Sequence, residues 1–254
     1  MINKMLFRDI KQYKFQMFAI ILIIFVGITL FSACVMSYMN LRIFKEAFYT
    51  ENNFLDAFID AVGVNDDDVN ELWEISGITA VEARIELDGL ITLQDENNAT
   101  AKVIAYRQEP YISQLRFFSG HYLDGSKDVL ISKNFAEFNK FQIDDTIDIK
   151  ILDSELELKI KGIVESPEFI ITIKSRDYVM PSIEDYGIVY IEYDLLEEIF
   201  DFQINSYNQV YFKLDENADI DQVKKEIEDC LGDKFLRFTE RYDQISEIMA
   251  REDI

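Results

Sequence analysis

The acidic residues that follow residue 214 have the spacing of a calcium-binding loop. Positions 1, 3, 5, 7 and 12 of such a loop are held here by Asp215, Asn217, Asp219, Asp221 and Glu226. Position 6, where the sharp turn of these loops requires glycine, is Ile220. The same residues fit a β-to-α turn in which Asp219 caps the next helix. We favour the turn and expect no metal site.

Other residues that could carry chemistry are few. The single histidine, His121, excludes a site built from two histidines. Cys34 lies in an apolar run and Cys230 in an amphipathic one, so we expect no disulfide. A phosphate-binding glycine loop, a nucleophile elbow and a zinc-protease motif are all missing from the sequence. We therefore expect no catalytic residue, no cofactor and no enzyme. Residues 98–100, Asn-Ala-Thr, match an N-glycosylation acceptor, but we interpret them as a polar turn.

Charge is distributed unevenly along the 254 residues, whose net charge is −23. Residues 1–40 hold Lys4, Arg8, Lys11 and Lys14 against Asp9, so the remainder of the chain is strongly acidic. Binding to nucleic acid phosphates depends on lysine and arginine, and this balance excludes it. A hydrophobic content of 49% is ample for a packed core.

An uncharged stretch lies between Lys14 and Arg42 and is most apolar over residues 15–36. Its length exceeds the ~20 residues that a membrane-spanning helix needs. Because the basic residues are concentrated before it, we expect a cytoplasmic N-terminus, with the bulk of the chain outside a bacterial cell membrane. Residues 3–14 are amphipathic and predict a helix in the cytoplasmic interface.

Two other interpretations of this stretch remain open. A cleaved signal peptide is disfavoured because the apolar run is long and its helical pattern continues past residue 40. A lipoprotein signal is suggested by residues 31–34, but Phe31 stands where a small aliphatic residue is usual, and an apolar segment follows Cys34.

The rest of the chain predicts an α+β fold. Residues 54–62 form a strand, Asp66–Asp68 begin a helix, and residues 78–93 form a second strand. A second β-α-β unit follows near the end of the chain, with strand 209–214, helix 219–231 closed by Gly232, and strand 235–238. The helix is predicted to bury Ile220 with Val223, Ile227 and Leu231.

Short strands dominate the region between the two units. They are predicted at 129–131, 146–152, 156–164, 169–173 and 187–191, with short helices at 133–140 and 195–200.

We accordingly divide the chain into three parts. Residues 1–49 hold the interfacial, transmembrane and first stalk helices. Residues 50–238 form the extracytoplasmic domain. Within it, 50–105 and 205–238 make an α/β subdomain around a β-rich subdomain at 106–204. Residues 239–254 begin a second stalk helix, and because its pattern is still running at residue 254 we expect a truncated chain.

The order of several segments resembles MacB/FtsX-type permeases of ABC transporters, in particular those of Firmicutes. The segments are SGITAVEAR (76–84), SGHYL (119–123), DVLISKNFA (128–136), FQIDDTIDI (141–149), KGIVESPEFI (161–170), MP (180–181) and YGIV (186–189). The likeness covers roughly residues 1–250. The family usually has Gly-Asp in the turn within 141–149, and Asp144 stands here in the glycine place.

This resemblance implies a MacB-like periplasmic core domain without catalytic residues. Its implied partners are the lipid bilayer, a cytoplasmic ABC ATPase subunit and a second permease copy. ATP-driven motion would pass through stalk helices 37–49 and 239–251, for extrusion of a substrate or for signalling. Two alternatives are a membrane-tethered binding or sensor protein, and a hydrolase with two carboxylates converging in a cleft with raised pKa values.

Overall fold

The computed structural model describes residues 13–93, 97–170, 184–200 and 206–244. The chain divides into two compact units, one ending at Phe48 and the other beginning at Tyr49. Several predicted segments lie outside the described residues: nearly all of the interfacial helix at 3–14, the part of strand 169–173 after Ile170, and the stalk helix from residue 245 onward.

The first unit consists of helix α1, Lys14–Glu51, whose last residues, 49–51, belong to the second unit. Its best 18-residue window has a mean hydropathy of 2.8, and none of that window is buried in the protein. Within the part of the chain that the structure describes, this is the one helix long and apolar enough to cross a membrane. The predicted transmembrane and first stalk helices are therefore one uninterrupted helix.

The second unit contains ten strands and four α-helices among the described residues. In chain order these are β1 (Ala57–Val64), α2 (Asp66–Trp73), β2 (Ile78–Thr92), β3 (Asn98–Tyr106), β4 (Arg116–Gly120), β5 (Asp128–Ser132), α3 (Lys133–Asn139), β6 (Thr146–Ile151), β7 (Ser154–Glu165), β8 (Tyr186–Glu192), α4 (Tyr193–Phe200), β9 (Tyr207–Leu214), α5 (Ile220–Leu231) and β10 (Phe235–Glu240). Short 3₁₀ helices span Pro167–Phe169, Gly232–Lys234 and Arg241–Asp243.

Two interleaved β-α-β units form a four-stranded sheet in this body. Strand β1 pairs antiparallel with β9 and β10, and β2 pairs antiparallel with β9, so the order is β10-β1-β9-β2. This is the split β-α-β arrangement of ferredoxin-like folds. The predicted pair of β-α-β halves around a β-rich insertion is confirmed.

Helices α2 and α5 begin where side-chain capping is available. Asn65 and Asp68 form a reciprocal capping box at the start of α2. Asp219 accepts the backbone N–H of Gln222 at the start of α5. The buried face of α5 consists of Val223, Ile227 and Leu231.

The inserted strands close into a six-stranded barrel. Pairing runs from β2 to β3, β8, β5, β7 and β6, and β6 returns to β2. Strand β6 shows the alternation that such closure requires, with Ile147, Ile149 and Ile151 buried and the residues between them exposed. Strand β4 lies outside the ring as an edge strand on β7.

Strand β2 connects the two halves because it belongs to both. Its residues from Ile78 to Arg84 pair with β9, and those from Ile85 to Thr92 pair with β3. The sequence placed residues up to 105 in the α/β subdomain. Strand β3 instead lies in the barrel, so the change from one sheet to the other falls near Arg84.

The structure corrects four further expectations. Thr239 lies in β10 and a 3₁₀ helix follows, so no α-helix begins there. Phe169 ends a 3₁₀ helix that Pro167 starts, rather than beginning a strand. Asn98 opens β3 instead of a turn. Ile220 is 38% exposed because it lies at the first turn of α5, off its buried face.

The turn before β6 explains the family difference at Asp144. Its backbone is left-handed, with φ 72°, a conformation that glycine adopts freely and that aspartate tolerates better than most residues. Its carboxylate is 2.7 Å from Lys159 Nζ. The replacement therefore keeps the turn geometry.

Gly120 and Gly63 allow a matched test of the close contact between β4 and β7. Both have positive φ, +80° and +70°, so alanine costs each about 1–2 kcal/mol in backbone strain. A Cβ at Gly120 would also overlap the carbonyl oxygen of Lys161, whereas nothing lies within 4 Å at Gly63. We expect Gly120→Ala to lose at least ~1–3 kcal/mol more than Gly63→Ala in urea unfolding. Equal losses would contradict the contact.

Candidate functional site

The face of the four-stranded sheet opposite helices α2 and α5 is polar. Cross-strand register places Arg237, Asp60, Gln209 and Arg84 in one row, one residue per strand. Arg237 Nε lies 2.8 Å from Asp60 Oδ2, and Gln209 Nε2 donates to Asp60 Oδ1 over 3.0 Å. This polar row runs from the edge strand β10 to the strand that enters the barrel.

Arg84, at the inner end of the row, is completely buried. It donates to both carboxylate oxygens of Glu168, from Nη1 over 3.0 Å and from Nη2 over 2.5 Å. Nη1 also donates to Tyr106 Oη over 2.7 Å. The guanidinium lies over the Tyr211 ring, 3.7 Å from its centroid. Strands β2, β3 and β9 and the 3₁₀ helix after β7 thus meet on one side chain.

A second carboxylate and a second cation complete this group. Glu86 Oε1 accepts from Arg84 Nη2 over 2.6 Å, and Glu86 Oε2 accepts from Lys102 Nζ over 2.6 Å. Tyr211 Oη donates to Gln209 Oε1 over 2.7 Å, which joins the group to the polar row. We call Arg84, Glu86, Lys102, Tyr106, Glu168 and Tyr211 the arginine cluster.

The pKa values within the cluster follow from its pairing. Burial would lower the pKa of Arg84, but the charges of Glu168 and Glu86 raise it above its ordinary value. Burial would raise the pKa of Glu86, yet Lys102 and Arg84 together lower it. Burial would lower the pKa of Lys102, but the charge of Glu86 raises it. Arg84, Lys102 and Glu86 are therefore held in their charged forms at neutral pH. An arginine in this setting is a structural ion-pair partner, with no free lone pair or labile proton for chemistry.

A second polar group lies where α1 leads into the body and the described chain ends. The rings of Tyr49 and Phe54 stack with centroids 4.3 Å apart. The Arg241 guanidinium lies 4.7 Å from the centroid of Tyr49 and 5.2 Å from that of Phe54. Lys213 Nζ is 2.9 Å from Asp56 Oδ2. We call these five residues the neck.

Hydrogen bonds to the backbone also hold the neck together. The N–H of Arg241 donates to the carbonyl of Asp56 over 2.9 Å, and the N–H of Asp56 donates to the carbonyl of Phe212. Lys213 Nζ donates to the carbonyl of Phe54 over 2.7 Å. Residues near both ends of the body therefore meet on strand β9.

The calcium-like spacing serves the β-to-α turn, as predicted. Asp215 Oδ1 accepts the backbone N–H of Asn217, and Asp219 caps α5. Glu226 lies on α5 and accepts from Gln222 Nε2 over 2.8 Å. Among the described residues, no group of three or more metal-ligating side chains comes together.

The acidic triplet is the start of helix α2, also as predicted. Asp66 accepts from Tyr207 Oη over 2.7 Å, and Asp68 binds Lys234. His121 is exposed, with Nδ1 2.9 Å from the carbonyl of Tyr122.

A pair of carboxyl groups with raised pKa values does exist, at Glu82 and Glu168. Burial raises the pKa of Glu168 and raises that of Glu82 to about 7. Glu168 is 6% exposed and bonded to Arg84 through both oxygens, and Glu82 Oε2 accepts two backbone N–H groups. A concave region of about 590 Å³ lies elsewhere, beside Asp148, Lys150 and other residues of β2, β3, β6 and β7. The geometry expected of a hydrolase is therefore not formed by this pair.

The sequence did not reveal the arginine cluster. Glu82, Arg84 and Glu86 alternate with apolar residues along β2, which is the pattern of a strand with one face in solvent. That face is buried because Glu168, distant in sequence, covers it. The available signal was Arg84 itself, a charged residue in the middle of a long predicted strand.

Comparison with known proteins gives the family. Residues 17–229 match the MacB-like periplasmic core domain, and the chain belongs to this family. It is thus a permease component of a MacB/FtsX-type ABC transporter, which confirms the resemblance found in the sequence. No curated protein matches the chain.

Two solved structures are similar at low identity. The extracellular domain of the noncanonic ABC-type transporter YknZ from Gram-positive bacteria is 15% identical, with a TM-score of 0.47 over 72% of this chain and 99% of that one. The periplasmic region of MacB from Actinobacillus actinomycetemcomitans is 11% identical, with a TM-score of 0.48 over 80% and 93%.

The arginine cluster predicts unequal costs for two arginines of the same row. Arg84→Met leaves two buried carboxylates without their shared partner and should cost about 3–5 kcal/mol of unfolding free energy. Arg237→Met removes an arginine whose side chain is 68% exposed and should cost ~0.2–1 kcal/mol. Urea unfolding of the full chain in detergent, followed by fluorescence of the single tryptophan, Trp73, measures both. Similar values would refute a central role for Arg84.

Proposed function

We propose that this chain is the first membrane-spanning and extracytoplasmic part of an ABC-transporter permease. In this proposal a separate cytoplasmic subunit hydrolyses ATP, and the chain couples that hydrolysis to extrusion of a substrate or to signalling. Helix α1 crosses the bilayer with a cytoplasmic N-terminus. A second permease copy completes the assembly.

The neck is the observation that carries this proposal. Helix α1 leads into the body at Tyr49, and the described chain ends just after Arg241, whose guanidinium lies against Tyr49 and Phe54. A movement applied to either connection therefore acts on the same few residues. This supports a role for residues 239–254 in the second stalk connection.

The body has the properties of a part that transmits displacement. Its barrel has no free edge within the ring, and the arginine cluster ties that ring to the four-stranded sheet. Closed, densely packed structures deform little and move as units. A passive role in coupling needs no catalytic residue, in line with an arginine cluster whose charged groups pair with one another.

Membrane orientation can be tested with single cysteines in a chain carrying Cys34→Ala and Cys230→Ser. Asp153→Cys, at the exposed turn between β6 and β7, should react with a membrane-impermeant maleimide in intact cells. Asn3→Cys should react only after the membrane is permeabilised, because the positive-inside tendency places it in the cytoplasm. Labelling of Asn3→Cys in intact cells would show that the N-terminus is outside and would contradict the proposed orientation.

The role of the neck can be tested by Arg241→Met in the assembled permease with its ATPase subunit. Loss of the cation over two rings should cost about 1–2 kcal/mol, leaving the body folded, while ATP-driven activity falls severalfold or more. Lys225→Met, on the exposed face of α5, is the control and should keep full activity. Normal activity of Arg241→Met would show that the neck is not part of the coupling route.

A further inference from the structure

A short loop between β3 and β4 connects residues beside the neck to the interior. The N–H groups of Ser113 and Gln114 donate to the carbonyls of Asn53 and Asn52 over 2.9 and 2.8 Å. Asn53 Nδ2 donates to the carbonyl of Tyr111 over 2.8 Å. The 111–114 loop is therefore bonded directly to the segment that follows α1.

Glu82 holds this loop from the opposite side. Its Oε2 accepts the backbone N–H groups of Tyr111 and Ile112 over 2.7 and 3.0 Å. Its Oε1 is buried and has no hydrogen-bond partner among the residues that the structure describes. One carboxylate thus fixes two consecutive amides of the loop while half of its own hydrogen-bonding capacity stays unused.

The surrounding charges leave Glu82 without a cation of its own. Arg84, two residues along the same strand, is bonded to Glu168 and Glu86, and Lys102 is bonded to Glu86. Two cations therefore face three carboxyl groups, so full ionisation leaves one buried negative charge uncompensated. This is costly at a low local dielectric.

Other ionisable groups near Glu82 do not relieve this excess. Glu168, on the 3₁₀ helix, adds a like charge. The phenols of Tyr106, at the end of β3, and Tyr122, after β4, are also close enough to interact with it. On β9, Tyr211 is its cross-strand partner. All of these groups are neutral or negative.

We propose that Glu82 is a pH-sensitive clasp, which keeps the 111–114 loop closed while it is protonated and loosens the loop when it ionises. The regulatory meaning of this clasp, control of the connection between α1 and the body, rests on the proposed function. Its pH dependence is a property of the chain itself.

The direction follows from proton linkage. Burial raises the pKa of Glu82 to about 7, against opposing effects of the Ile112 and Tyr111 amides and of Arg84. When the loop opens, water reaches the carboxyl and its pKa returns toward the ordinary value of 4.5. The closed form therefore binds the proton more tightly. Protonation therefore favours closure most below about pH 4.5, and this contribution is lost progressively as pH rises to about 7, above which it levels off.

Hydrogen exchange of residues 107–115 in the full chain in detergent tests the clasp without any transport assay. Protection, corrected for intrinsic exchange, should fall about tenfold from pH 6 to pH 8.5 in the wild type. Glu82→Gln keeps the size of the side chain without the charge, so its protection should stay high and flat. Glu137→Gln, an exposed carboxyl on α3, should behave as the wild type.

Three outcomes would overturn the clasp: flat protection in the wild type, an unchanged slope in Glu82→Gln, or loss of protection in Glu82→Gln at pH 8.5. If Glu82→Gln does not fold, the wild-type profile alone decides. Failure here would leave the permease assignment standing, because orientation and ATP-driven activity are measured independently.

Discussion

The burial of Arg84 is the constraint on which the architecture depends. A guanidinium cannot be removed from water unless carboxylates are brought to it, and its partners come from the same strand, Glu86, and from the 3₁₀ helix after β7, Glu168. The arginine sits where β2 leaves the four-stranded sheet for the barrel. The sheet and barrel can therefore be docked in few ways without leaving a charge exposed to an apolar interior.

Around this point the polar row distributes the constraint across the sheet. A chain of hydrogen bonds runs from Arg237 at the edge through Asp60 and Gln209 to Tyr211. The neck adds a second fixed point on β9, through Lys213 and the carbonyl of Phe212. Strand β9 thus touches both polar groups, and a shift along it would disturb the neck and the arginine cluster together.

Local patterns in the sequence were sufficient for most of the individual elements. The alternation in residues 146–151 predicts β6, and an acidic cap followed by Val223 and Ile227 predicts α5, because these signals lie within one element. The closure of the barrel could not be predicted in this way. It depends on β6 returning to β2, a pairing between segments far apart in the chain.

The arginine cluster was missed for a related reason. Glu82, Arg84 and Glu86 carry the signature of a solvated face, and nothing near them in sequence indicates what covers it. Likewise the neck joins Tyr49, where the second unit begins, to Arg241, which is almost two hundred residues further along the chain. The local hydropathy and charge pattern predicted the membrane helix, and the family resemblance indicated that the elements after it form a MacB-like periplasmic core domain.

The position of β9 has a consequence for how the protein reaches its native state. This strand lies between β1 and β2 in the sheet, yet more than a hundred residues separate it from β2 in the chain. During synthesis of the chain, β1 and β2 are therefore complete before β9, the strand that pairs with both of them, has been made. All six barrel strands precede β9 in the chain, so the barrel can close first. Strand β9 can then pair with the part of β2 that extends beyond the closed barrel.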